Sequence, residues 1–256
     1  MNKRIAIKRA VIVLICTSGF LFVGYKSCLL LNDLFGDYPG GIGTYSLMED
    51  YAFDPETILP ALGRGTTTVF TPAVATPEAD WVPPVSFHWR QADYLKIAGA
   101  FYQFKWNENI NTWHLYSMKF RKDCANNSDG FYLGKIAYFK DSDETSHSHY
   151  LFRELSISPM DKELTWEGDV FRQPPLFGWF SIDQIKISAD DALEIAEKNG
   201  GKEARLKVKN ACTIYVSIIP NPDRDYKWRV SYDSYDTFEI QIDPYSGSHN
   251  IVERIR

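Results

Sequence analysis

Residues 188–201 read SADDALEIAEKNGG, and this stretch is typical of a short helix with a capped start and an abrupt end. Ser188 suits the N-cap because its side-chain oxygen can accept a backbone N–H of the first turn. Asp190 and Asp191 would then face the positive end of the helix dipole. One apolar stripe with helical spacing consists of Ala189, Ala192, Leu193 and Ala196. The glycines after Asn199 predict the end of the helix, since glycine readily adopts the left-handed conformation.

Strand patterns follow this helix. Residues 211–219 are apolar and β-branched, whereas residues 227–232 and 237–243 alternate apolar with polar side chains. The sequence DPYSG at 243–247 predicts a tight turn, and a last strand is predicted over 249–255. This part of the chain therefore predicts one helix followed by an antiparallel meander.

A similar order of parts occurs earlier in the chain. The matching fragments are LKIA at 95–98 with LEIA at 193–196, WHL at 113–115 with WRV at 228–230, and LSISP at 155–159 with IQIDP at 240–244. We interpret them as a diverged tandem repeat, with a chance coincidence of apolar patterns as the alternative. The predicted fold class is α+β: an N-terminal transmembrane helix, a linker and two helix-plus-antiparallel-sheet units.

The N-terminus predicts a membrane anchor. Four basic residues precede an uncharged run at 10–25, which lengthens to about 22 residues if Lys26 snorkels towards the interface. The positive-inside rule then places the N-terminus in the cytoplasm and the folded body outside, as a single-pass membrane protein. A cleaved signal peptide is the alternative, although no small-x-small site follows the run.

Four segments are expected. Residues 1–32 form the cytoplasmic tip and transmembrane anchor, and residues 33–87, rich in Thr, Pro and Ala near their end, form a flexible stalk and linker. Residues 88–180 and 181–256 form the two α+β units. Acidic residues outnumber basic residues beyond the anchor, which excludes nucleic acid as an expected partner because nucleic-acid affinity rests on neutralising phosphates.

Cys124 and Cys212 are the cysteines that lie outside the predicted anchor. In an oxidising compartment they would form a disulfide that staples the two halves. Two free thiols are the alternative, with Cys212 buried as a small apolar residue.

The segment 141–149, DSDETSHSH, is where acidic residues and histidines crowd together. His147, His149 and Asp143 are weak candidate ligands for zinc or another divalent ion. A solvated hairpin tip is the alternative, because no third ligand has a spacing typical of a dedicated site.

Aromatic residues lie in the run FRQPPLFGWF at 171–180, where Phe177, Trp179 and Phe180 could form a platform for a peptide or glycan. Core packing between the two units is the alternative, and it also applies to Trp106, Trp113, Trp166 and Trp228. No nucleophile elbow, zinc-protease motif or phosphate loop occurs in the sequence, so no catalytic residue and no cofactor is predicted.

The C-terminal unit, 181–256, resembles a PepSY-type domain through residues 188–201, 228–232 and 242–247, and the first unit, 88–180, resembles one faintly. The resemblance implies a helix followed by a curved antiparallel sheet. It also implies a non-catalytic role in the cell envelope, such as restraining or chaperoning a peptidase, although no peptidase domain lies beside it. The expected function is therefore binding or regulation of a protein or peptide partner outside the cytoplasm. The alternatives are a hydrolase with an unrecognised site or a structural spacer in an envelope complex.

Overall fold

The computed structural model describes residues 47–66, 69–73, 88–125, 130–142, 149–171, 184–220, 226–233 and 238–252. The helices within them are α1 (Ile58–Gly63), α2 (Gln91–Trp106), α3 (Ala189–Ala196) and α4 (Lys202–Lys207). The strands are β1 (Leu47–Ala52), β2 (Thr71–Pro72), β3 (His114–Asp123), β4 (Leu133–Ser142), β5 (His149–Ser158), β6 (Glu163–Phe171), β7 (Thr213–Ile218), β8 (Trp228–Asp233), β9 (Phe238–Ile242) and β10 (His249–Val252). Among these helices, none combines the length and apolar composition needed to cross a membrane. The predicted anchor, residues 1–32, lies outside the described residues.

Helix α3 confirms the helix with a capped start that the sequence predicts at Ser188. The Ser188 side chain accepts the Asp191 N–H at 3.1 Å, and the Asp191 carboxylate accepts the Ser188 N–H at 3.0 Å. This reciprocal capping satisfies two backbone donors at the helix start. The stripe residues Ala189, Ala192 and Ala196 are fully buried. The chain breaks from helical geometry at Gly200, whose φ is 113°, and then continues into α4, which the sequence pattern did not predict.

The predicted strands of the C-terminal segment are confirmed as β7 to β10, and the predicted turn is confirmed at 243–247. Residues 253–255 of the last predicted strand lie outside the described residues. Gly247 has a φ of 75°, and its N–H donates to the Asp243 carbonyl at 2.9 Å. Strands β7 and β8 alternate buried with less buried residues, whereas β9 departs from this pattern because Glu239 is buried next to Ile240. This period of two arises because successive side chains point to opposite sheet faces.

The prediction of two separate helix-plus-sheet units is wrong. The described strands form a single antiparallel sheet in the order β10-β9-β8-β7-β3-β4-β5-β6-β1-β2. Strands β3 and β7 join the two predicted units, with a register that runs from Met118 opposite Ile218 to Asp123 opposite Thr213. Backbone pairing between these strands satisfies donors and acceptors that would otherwise lie at two open edges.

Part of the segment predicted as a stalk and linker, 33–87, belongs to this folded body. Strand β1 pairs with β6, and β2 pairs with β1. Phe53, Ile58 and Phe70 from this segment are buried in the core. The Thr- and Pro-rich composition obscured these isolated apolar residues, which are buried through contacts with distant parts of the chain.

The main core lies between the helices and one face of the sheet. Helix α2 contributes the buried residues Tyr94, Ile97, Ala98, Phe101 and Tyr102. Helix α2 ends at Asn107, which adopts the left-handed conformation with a φ of 54°. A smaller apolar cluster on β4, β5 and β6 contains Ala137, Phe139, Phe152 and Phe171.

Candidate functional site

Most of the predicted ligand-binding residues lie outside the described residues. These are His147 and Asp143 of the metal hypothesis and Phe177, Trp179 and Phe180 of the aromatic platform. His149 is the first residue of β5, where it pairs with Ser142 of β4. Over the described ranges, no three His, Cys, Asp or Glu side chains are grouped so that they could hold a metal ion. The metal site and the platform therefore stay predictions.

A disulfide joins Cys124, directly after β3, to Cys212, directly before β7. Their Cα atoms are 5.3 Å apart, and the Cys124 N–H donates to the Cys212 carbonyl at 3.0 Å. Because β3 and β7 are neighbours, the bond fastens the junction at which the two halves of the sheet meet.

Four charged residues of the sheet, Lys135, Lys140, Arg153 and Glu154, lie on interior strands and not at an edge. Strand β4 has β3 and β5 as neighbours, and β5 has β4 and β6. Edge protection is therefore not their role. The edges of the described sheet are β10 and β2 with the uncovered part of β1.

Arg153 instead belongs to a cation–aromatic cluster beside the end of α2. Its guanidinium carbon lies 3.7 Å from the ring centroid of Trp106 and 4.3 Å from that of Trp113. Glu108 forms an ion pair with Arg153 at 3.1 Å and accepts the Trp113 indole N–H at 2.8 Å. Burial is the main cause that lowers the pKa of Arg153 from its ordinary value. The stacking and the ion pair hold this cation against α2, which is a packing role.

The tryptophans support the packing interpretation made from the sequence. Trp113, Trp166 and Trp228 are buried, with 5%, 5% and 0% of their surface exposed. The Trp228 indole N–H donates to the Ile187 carbonyl at 2.7 Å and ties β8 to the segment before α3. Trp106 packs edge-on against Trp166, with ring centroids 5.1 Å apart.

A contact between the starts of α2 and α3 was not predicted. The Gln91 side-chain oxygen accepts the Ala189 N–H at 2.6 Å, and the Asp190 carboxylate accepts the Gln91 N–H at 3.0 Å. Gln91 and Ala189 are both buried. Burial raises the pKa of Asp190 above its ordinary value, and the hydrogen bond from Gln91 opposes this shift. Each helix start therefore supplies a side-chain acceptor for a backbone N–H of the other. A local sequence pattern could not reveal this contact, because the partners are nearly a hundred residues apart in the chain.

Raised carboxyl pKa values also occur on β6. Burial raises the pKa of Glu163, and the nearby acidic groups of Asp50 and Asp161 add to the shift. Burial and the charge of Glu167 raise the pKa of Asp169. Because burial and crowding of acidic side chains explain both shifts, they do not by themselves indicate a catalytic acid or base.

A polar network supports the kink after α3. Tyr232 of β8 donates to one Glu197 carboxylate oxygen at 2.7 Å, and Arg205 of α4 donates to the other at 2.9 Å. Gly201 packs directly against Tyr232, and a Cβ atom there would overlap the tyrosine hydroxyl. The network fixes α4 relative to the sheet, so α3, the kink and β8 form one packed unit.

The outer strand next to this unit, β10, is one of the two edges of the described sheet. Strand β10 pairs with β9, and no further strand of the described sheet lies beyond it. Ile251 of β10 is 52% exposed, whereas its cross-strand neighbour Ile240 is fully buried. Exposed backbone at a sheet edge can pair with an extended polypeptide. The arrangement is suited to binding, and the apolar position at Ile251 adds side-chain selectivity.

Comparison with known protein families identifies a domain in the C-terminal part of the chain. The family model for the peptidase propeptide and YPEB domain, PepSY, matches residues 186–248. No curated protein and no solved structure matched the chain. The matched residues contain α3, the kink, α4, β7, β8, β9 and the turn at 243–247. Residues 186–248 are a PepSY-type domain, as the sequence resemblance predicted.

Proposed function

We propose that this protein is a non-catalytic binding protein of the cell envelope that regulates a peptidase. The observation that carries the proposal is the match of residues 186–248 to the family model whose description names peptidase propeptides. A propeptide acts by contacting its peptidase, and we infer that the PepSY-type domain of this protein acts through the same kind of contact. The exposed edge at β10 offers this domain a surface for such a contact.

We further propose that the folded body lies outside the cytoplasm, held at a membrane through residues 1–32. Two observations support this location. The N-terminal segment places basic residues before an uncharged apolar run. The Cys124–Cys212 disulfide would persist in an oxidising compartment, whereas the cytosol keeps most thiols reduced.

Cross-linking in intact cells tests the proposal. The full chain, carrying an affinity tag, is cross-linked, solubilised in detergent and purified, and the attached proteins are identified by mass spectrometry. A matched control carries only residues 1–46, which lack the described fold. We expect a peptidase that is enriched with the full chain and absent from the control.

A second assay addresses regulation directly. The activity of the recovered peptidase is measured with and without the purified protein, and we expect its rate or its maturation to change. The proposal fails if no peptidase is enriched over the control. It also fails if the purified protein alone hydrolyses a peptide or glycan.

A further inference from the structure

The outer face of the sheet, which is the face that points away from the helices, carries a band of positive charge. Lys119 and Arg121 of β3 are exposed and alternate with residues of the main core, so they lie on this outer face. Lys119 lies directly opposite Lys135 of β4, and like charges at such positions repel each other. Within the described ranges, no carboxylate forms an ion pair with Lys119 or Arg121.

A band of negative charge lies on the same face, on β6. Glu163 and Glu167 are half-buried and alternate with the core residues of that strand. Glu167 lies directly opposite Glu154 of β5, so two acidic side chains again face each other. Burial raises the pKa of Glu163, and the charge of the neighbouring Asp50 adds to the shift. In the part of the chain that the structure describes, no lysine or arginine forms an ion pair with Glu163.

The two bands are placed symmetrically about the boundary between β4 and β5. The strand order contains β3-β4-β5-β6, so β3 and β6 each lie one and a half strand spacings, about 7 Å, from that boundary. The registers place Lys119 in one row across the sheet with Lys135, Ser156 and Thr165. Thr165 lies between the two glutamates of the acidic band on the same face of β6. The cations of one band are therefore level with the acids of the other.

We propose that a second copy of this chain docks on the outer face, with the positive band of each copy against the negative band of the other. A two-fold axis along the β4–β5 boundary exchanges β3 with β6 and β4 with β5. This rotation places Lys119 of one copy over Thr165 of the other, between Glu163 and Glu167. An axis parallel to the strands suits twisted sheets, which pack face to face with their strands within about 30° of each other.

Charge complementarity identifies a second copy as the occupant. One face carries both signs of charge in bands equally distant from one line, which is the arrangement that an isologous dimer needs. Acidic residues outnumber basic residues in the chain, so the distant charges of two copies repel each other. Salt screens charges that are separated by more than about 8 Å at physiological ionic strength, whereas the contacts between the bands are closer. The dimer is therefore polar and sensitive to salt.

Charge reversal in the full chain tests the dimer, with analytical ultracentrifugation in a non-ionic detergent as the measurement. Lys119→Glu/Arg121→Glu makes both bands negative, and Glu163→Lys/Glu167→Lys makes both positive. Each variant alone should dimerise with a dissociation constant about tenfold or more above that of the unaltered chain. An equimolar mixture of the two variants should restore association, because the negative face of one then meets the positive face of the other.

The matched control is Lys202→Glu/Lys207→Glu on α4. It makes the same change in net charge as the reversal on β3, at two exposed residues on the helix side of the sheet. The dissociation constant of this control should stay close to that of the unaltered chain. Urea unfolding curves show whether each variant is folded.

Salt tests the dimer without any substitution. The dissociation constant of the unaltered chain should rise about tenfold between about 0.1 M and about 0.5 M NaCl, because screening weakens the contacts between the bands. If a reversal unfolds the chain, the salt result alone decides.

Three outcomes would overturn the proposal. A dimer whose dissociation constant responds neither to salt nor to the reversals would be held by another part of the chain, such as residues 1–46. A chain that is monomeric at both salt concentrations would leave the positive band to an acidic segment of another protein. Folded variants that do not associate when mixed would show that the two bands do not meet.

This inference does not rest on peptidase regulation, because the assay contains this chain alone. A monomeric chain would reject the dimer and leave the regulation intact. Failure to recover a peptidase by cross-linking would reject the regulation and leave the dimer intact.

Discussion

Asp190 is an acidic residue whose local role and tertiary role differ. Its position in the first turn of α3 favours a negative charge, but its carboxylate is also half-buried against Gln91. Burial raises its pKa above the ordinary value of 3.8. The folded state therefore binds the proton more strongly than the unfolded state. The contribution of this group to stability is largest below the ordinary pKa and declines as the pH rises through the folded pKa.

The substitution Asp190→Asn tests this balance. It retains an oxygen acceptor for the Gln91 N–H and removes the buried charge, so the variant should be more stable than the unaltered protein at pH 7. The difference should shrink as the pH falls towards 3.8. Asp190→Ala lacks the acceptor and should be about 1 kcal/mol less stable than Asp190→Asn at pH 7. Urea unfolding curves across this pH range provide the measurement, and equal stabilities of the Asn and Ala variants would contradict the role of the hydrogen bond.

Gly201 is required for space rather than for backbone conformation. Its φ of −62° is open to any residue, but an added Cβ would overlap the Tyr232 hydroxyl and lie 2.8 Å from the Ala196 carbonyl. We expect Gly201→Ala to destabilise the protein by about 1–3 kcal/mol. The double variant with Tyr232→Phe should recover part of this loss because the hydroxyl is removed.

Gly63→Ala is the control for Gly201→Ala, since the nearest atom to an added Cβ there is 3.8 Å away. Denaturant unfolding should show little change or a small gain for this control. Similar losses at Gly63 and Gly201 would mean that close packing against Tyr232 is not the cause.

These residues also show which details a sequence reveals. The Ser188 cap was predictable because both partners lie within one turn of the chain. The glycine break was predictable because only backbone flexibility had to be considered. The Gln91 contact with Ala189 was not, because its partners are 98 positions apart.

The disulfide stabilises the protein at the level of elements, since it closes β3 and β7 at one end of their shared ladder. The bond links residues separated by 88 positions. For a loop of this length, the chain-entropy model gives a contribution of about 4 kcal/mol. The double variant Cys124→Ser/Cys212→Ser should therefore lose stability of this order in urea unfolding, and the reduced unaltered protein should match it. Reaction of both cysteines with a thiol reagent in unreduced, folded protein would contradict the bond.

At the level of helices and strands, the sequence pattern predicted which segments are strands better than it predicted which strands pair with each other. Strands β7 and β8 were predicted because their alternation reflects one buried and one less buried face. Helix α4 was missed because none of its residues is buried, so it lacks an apolar stripe. Strand β1 was missed because its anchor, Tyr51, is buried through edge-on contact with Phe101 of α2 at 5.0 Å. In the candidate site, the family resemblance indicated the domain, but nothing in its pattern indicated that β10 would be exposed at the edge of a larger sheet.

For the whole molecule, the error in the predicted architecture has a physical cause. Alternation of side chains specifies that a segment is a strand, and it does not specify which strand lies beside it. Strands β3 and β7 each have a buried face that would suit an edge or an interior strand. Their pairing, together with the Gln91 contact at the helix starts and the disulfide, makes one continuous body from two similar sequence patterns.

A continuous body should unfold as one cooperative unit, and this expectation distinguishes it from two independent domains. Leu155 of β5 and Ile240 of β9 are fully buried on either side of the β3–β7 junction. Leu155→Ala and Ile240→Ala should each cost about 2–5 kcal/mol. Each should lower hydrogen-exchange protection equally in β4 and β8, because global unfolding exposes both strands together. Ile219→Ala, at a residue 40% exposed, should leave both strands nearly unchanged. Loss of protection confined to the half that carries the substitution would mean that the β3–β7 ladder does not couple the two halves.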